Sequence, residues 1–192
     1  MTKISVLTVF VIVLSLALMN VGVVLADAAT PSAEQIQRWQ KAAEQGDATA
    51  QYNLGIAYTI GAGVKLNHVT AVKWYLKAAS QGNAKAQLSL GIAYIKGEGV
   101  EKNAVESTKW FRKSADQGNT TAQCSLGVAY VNGDGVGKDM AAAYGWLLLA
   151  ESGGNKSAAK LLATLEKSLS SAQQQAAKAW ATQWKSNASI PH

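Results

Sequence analysis

The sequence predicts an all-α fold, a right-handed α/α solenoid of helix-pair repeats with a capping helix at each end. Three observations predict it. Gly46, Gly82, Gly118 and Gly154 stand 36 residues apart. Leu54-Gly55, Leu90-Gly91 and Leu126-Gly127 keep the same period, as do Tyr58, Tyr94 and Tyr130. Each unit also carries a Gly-x-Gly-Val loop (Gly61–Val64, Gly97–Val100, Gly133–Val136) between two stretches of helical apolar spacing. A repeat of this kind is one supersecondary unit that cannot bury both faces alone, so neighbours must stack on it.

Residues 1–26 read as a secretory signal peptide: Lys3, an apolar run from Ile4 to Leu18 broken only by Ser5, Thr8 and Ser15, and Val24-Leu25-Ala26 ahead of Asp27. An uncleaved anchor is the alternative, because Ile4 to Leu25 could span a bilayer. A periplasmic or secreted location is therefore expected. Residues 27–45 are read as an N-terminal capping helix, opened by a Ser32/Gln35 capping box and carrying Ile36 and Trp39.

Three repeats follow over residues 46–81, 82–117 and 118–153. Asp47, Asn83 and Asn119 are placed to cap the first helix of each. Ala50, Leu54, Ala57 and Tyr58 fall on one face of that helix, and Gly55 leaves room for a neighbouring backbone. Glycine-permitted positive φ ends it. Asn67, Asn103 and Asp139 cap the second helix, which in the first repeat turns Ala71, Trp74, Tyr75 and Ala78 inward. Lys73 and Lys77, then Lys109 and Lys113, face solvent. A partial fourth repeat, 154–169, keeps Leu162 but has Ala163 and Glu166 in place of Gly and Tyr. Ser170 or Ser171 opens a C-terminal capping helix, 170–187, with Ala172, Ala176, Trp180 and Trp184 as its expected buried stripe. Self-association through Trp180 and Trp184 is a further expectation.

Composition narrows function. The 192 residues carry 18 Lys and Arg against 12 Asp and Glu, a formal charge of +6. Only Arg38 and Arg112 are arginines, and the cations are scattered, so no nucleic-acid partner is expected. One cysteine excludes an intramolecular disulfide and a thiolate zinc site. Two histidines, His68 and His192, offer little for a metal or a relay, so no catalytic, metal or cofactor residue is assigned and no cofactor is expected. Membrane contact is expected only through residues 1–26 if they are retained. Attraction of the exposed lysine stripe to anionic envelope polymer or lipid is the sharper alternative to a merely solvated face.

The pattern Ala50-Gln51-x-x-Leu54-Gly55-x-x-Tyr58-x-x-Gly61-x-Gly63-Val64, with Asn67, Ala71, Trp74, Ala78-Ala79 and Gly82, resembles the Sel-one-like repeat family, relatives of the tetratricopeptide repeats. The resemblance covers about residues 42–165. It implies a non-enzymatic adaptor or scaffold for protein or peptide partners. The alternative is a cell-wall or β-lactam-binding or -hydrolysing protein of the cysteine-rich branch. Ala79, Ala115 and Glu151 provide none of that branch's clamping cysteines.

On a helical wheel, Tyr52, Ile56 and Thr59 lie opposite the inner face of the first helix, with Leu88, Ile92 and Ile95, then Cys124, Val128 and Val131, in the same register. In the tetratricopeptide architecture that side lines a concave groove, so these nine residues are the candidate partner groove. The other reading is inter-repeat core. Cys124 is read as a small apolar filler, the Gly133–Lys138 segment as a turn, and His68 as a surface residue.

Overall fold

A computed structural model describes residues 30–188; the expected signal peptide lies outside the described residues. Among them the chain is helical throughout, with no strand. In order, the helices are α1 (Ala33–Glu44), α2 (Ala48–Ile60), α3 (His68–Ser80), α4 (Ala84–Lys96), α5 (Ala104–Asp116), α6 (Thr120–Asn132), α7 (Met140–Ser152), α8 (Lys156–Leu165) and α9 (Ser171–Ala188), with a 3₁₀ turn at Glu166–Ser168. The pairs α2/α3, α4/α5 and α6/α7 are the three repeats, and α8 opens the fourth. The described chain falls into two compact units, one up to Trp110 and one from Phe111 onward, the boundary lying within α5.

The repeated caps form as read. Asp47 accepts a hydrogen bond from the Ala50 N–H (2.6 Å), Asn83 from Ala86 (3.0 Å) and Asn119 from Ala122 (3.1 Å). Asn67, Asn103 and Asp139 do the same for α3, α5 and α7. Ser32 caps α1 through the Gln35 N–H. Each uncapped start would leave amide donors without partners. Gly61, Gly97 and Gly133 end the first helices in the left-handed region, at φ 72°, 76° and 81°.

In the unit up to Trp110, two cores lie in succession. Ile36, Ala43, Ala50, Leu54 and Ala57 join α1 to α2, with Trp39, Val64 and Trp74 against them. Ala71, Val72, Tyr75, Ala78, Ala79, Ala86, Leu90 and Ala93 join α3 to α4. Ala42 and Ala43 stand 36 residues before Ala78 and Ala79, so α1 occupies the register of a second helix and acts as the back half of a preceding repeat.

Two expectations are corrected. Gly55 makes room for a side chain, not a backbone: a Cβ there would overlap the Tyr75 ring. Backbone approach belongs instead to the second loop glycine. A Cβ on Gly63 would meet the Pro31 carbonyl oxygen (2.9 Å), and one on Gly99 would overlap the His68 carbonyl and meet the Val69 nitrogen (2.9 Å). Each loop thus packs on the start of the preceding second helix, where its glycine also holds a positive φ of 71° or 77°.

The second correction concerns α9. Ser170 caps it in a reciprocal box: the Gln173 N–H donates to Ser170 Oγ (3.3 Å), and the Ser170 N–H donates to Gln173 Oε1 (3.0 Å). Its buried residues are Ala177 and Ala181, not Ala172 and Ala176, which are exposed. Trp180 remains 37% exposed. The stripe rotates because α9 must lay its small residues on α7, and Gly145 receives the Trp180 ring there. Trp180 and Trp184 meet the buried Trp146 edge-on, at centroid distances of 5.1 and 6.0 Å.

Candidate partner-binding surface

The nine residues of the expected groove divide by burial. Cys124 (1% exposed) and Val128 (4%) are buried. Cys124 joins Ala143, Tyr144, Leu147 and Ala158 in the core of the later unit, and Val131 is half-buried against the same cluster. Burial pushes the Cys124 thiol up to about 12, which leaves it neutral and unreactive near pH 7. Tyr52, Ile56, Thr59, Leu88, Ile92 and Ile95, all in the earlier unit, are half-buried.

Four of these six residues do two jobs. Tyr52 and Ile56 lean on the α3/α4 core, and the Tyr52 ring meets the Tyr75 ring at 6.0 Å. Thr59 and Ile92 open onto a cavity of about 60 Å³ together with His68, Tyr75, Ser89 and Glu98, floored by Ala71, Val72 and Ala93. That volume holds about two waters or the tip of one side chain. His68, read from sequence as a surface residue, is half-buried at this cavity. Thr59 Oγ1 and the Tyr75 hydroxyl are 2.9 Å apart, and Thr59 Oγ1 donates to the Gly55 carbonyl. Burial raises the Tyr75 hydroxyl far above the ordinary tyrosine range, against the pull of its hydrogen bonds to Thr59 and Ser89. The arrangement offers hydroxyls and one carboxylate within an apolar wall. It suits recognition of a polar group rather than activation of a nucleophile.

One repeated structural role is carried by residues to which the sequence analysis assigned none, although the repeat pattern contains the first of them, Gln51. Gln51, Gln87 and Gln123 are 4%, 5% and 3% exposed. Their Nε2 groups donate to the carbonyls of Ala43, Ala79 and Ala115, at 3.0, 3.2 and 3.2 Å, in the last turns of the preceding second helices. A polar residue recurring inside an apolar stretch at the full repeat period is the signal that pointed to them.

The Sel1 repeat model matches residues 39–47, 48–83, 84–119 and 120–155, more than half of the chain. The chain belongs to the Sel1 repeat family. The matched frame begins two residues after the glycine frame and takes in the end of α1. A crystal structure of a protective antigen of uropathogenic Escherichia coli, displaying an SLR fold, is 38% identical, with a TM-score of 0.72 over 78% of this chain and 32% of that one. The crystal structure of a Sel1 repeat protein from Oxalobacter formigenes is 36% identical, with a TM-score of 0.67 over 82% of this chain and 66% of that one. The chain thus spans about a third of the first relative and two thirds of the second. No curated protein matched. Sel1 repeat proteins are in general non-catalytic scaffolds for protein–protein contact, and the helical solenoid seen in the relatives fits the paired helices here.

Proposed function

We propose that this chain is an exported Sel1 repeat scaffold that holds a protein or peptide partner on the first-helix stripe of its earlier unit. The observation that carries this reading is the half-burial of Tyr52, Ile56, Thr59, Leu88, Ile92 and Ile95 in one repeated register, with a hydroxyl-lined cavity opening between Thr59 and Ile92. A stripe that is neither sealed nor fully solvated provides apolar area for a ligand, and the cavity provides one polar anchor point. Cys124 and Val128 are excluded from the surface by their burial, and Val131 is at its margin. Export rests on the apolar N-terminal run, and the relative that is a protective antigen supports it. Binding without turnover fits the family and the neutral, buried state of the one thiol.

The test is capture from a cell-envelope extract with the exported chain and with an Ile92→Asp/Ile95→Asp variant. Both residues are half-buried, so the variant is expected to keep its far-ultraviolet helicity and lose the captured protein. Loss of helicity would assign the stripe to the core; unchanged capture would remove it from the interface.

A further inference from the structure

The second helices carry a different face, on which apolar and cationic side chains alternate. On α3, Val69, Lys73, Leu76 and Ser80 fall within about 60° of arc and all are exposed, Val69 by 54% and Leu76 by 39%. Leu66, just ahead of α3, is 52% exposed. Thirty-six residues on, Val105 (50% exposed) and the exposed Lys109 take the places of Val69 and Lys73. Large apolar side chains left this open, one of them at a repeated position (Val69 and Val105), are not explained by packing within the repeat.

The charges on the same segment have one sign. Residues 65–80 contain Lys65, Lys73 and Lys77 and no acidic residue. The Lys77 ammonium lies over the Trp74 ring, 4.3 Å from its centroid, and the side chain is exposed beside Lys73. In the following repeat Glu106 pairs with Lys109 at 2.6 Å, and Glu101 and Lys102 lie in the preceding loop, so the cationic excess is concentrated on α3 and its entry.

We propose that the exposed face of α3, extended by Val105 and Lys109 of α5, rests on an anionic lipid bilayer. Charge complementarity selects this occupant. Lys65, Lys73 and Lys77 match a layer of lipid phosphates, while Leu66, Val69 and Leu76 reach the acyl boundary that a soluble polyanion does not have. The partner stripe lies on the first helices and this face on the second, so the two surfaces use different residues and fail independently.

The experiment is co-sedimentation of the full chain with vesicles of phosphatidylcholine alone and of phosphatidylcholine mixed with phosphatidylglycerol. The N-terminal apolar run, where retained, acts alike on both, so the readout is the excess on the anionic vesicles. The excess should fall by about thirtyfold in Lys73→Gln/Lys77→Gln, at about fivefold per lysine. It should fall severalfold in Val69→Ser/Leu76→Ser, with the circular dichroism of both variants unchanged. No excess on anionic vesicles overturns the proposal. So does a serine variant that binds as tightly as the parent, because the lysines alone would then be attracting any polyanion.

Discussion

At the residue scale, the buried glutamines define what a single repeat asks of its neighbour. Gln87 takes its side chain into the core and donates to the Ala79 carbonyl, which also accepts from the Gln81 and Gly82 N–H groups that close the end of α3. Truncation in Gln87→Ala removes the side-chain bond that ties α4 to the end of α3 and is expected to cost about 0.5–1.5 kcal/mol, read as a lower urea midpoint at unchanged slope. An unchanged midpoint would mean that the backbone donors at the helix end suffice. Sequence spacing was enough to locate the caps, because an Asn or Asp before an apolar-periodic stretch acts within three residues. It did not separate Cys124 and Val128 from Ile56 and Ile92. The four share one side of the first helices, and only the packing around each decides which are sealed.

At the element scale, α9 shows where periodicity stops informing. The four-residue spacing of Ala172, Ala176, Trp180 and Trp184 marks a helix correctly but not its buried side, because two large rings cannot both lie flat on Trp146. The observed contact seats Ala177 and Ala181 instead and lets the rings meet Trp146 by their edges. Gly145 makes this possible, since a Cβ there would stand 2.6 Å from the Trp180 ring. Gly145→Leu is therefore expected to lift α9 from α7, seen as a red-shifted tryptophan emission and faster tryptic cleavage at Lys178. Ser170→Ala removes only the cap and should cost about 1 kcal/mol without the spectral shift. A red shift in both variants would assign the docking to the helix start rather than to the ring contact.

At the scale of the whole molecule, the repeat period made the architecture legible before any coordinate. It left the ionisation state of the interior to be found, since burial of a particular Tyr or Cys depends on its neighbours in space. Tyr75 in one unit and Cys124 in the other are both held protonated by burial, Cys124 up to about 12 against 9.0 for the free thiol. The folded state keeps both protons where the unfolded chain would lose them. Their contribution to stability is thus complete below pH 9 and is lost as the pH rises through the folded-state values. The unfolding midpoint is expected to be insensitive to these groups from pH 6 to 8 and to fall above pH 9. Cys124→Ala should flatten the fall between pH 9 and 10, and Tyr75→Phe the part above pH 10. Midpoints that decline equally in both variants and the parent would show that neither group stays protonated in the folded chain.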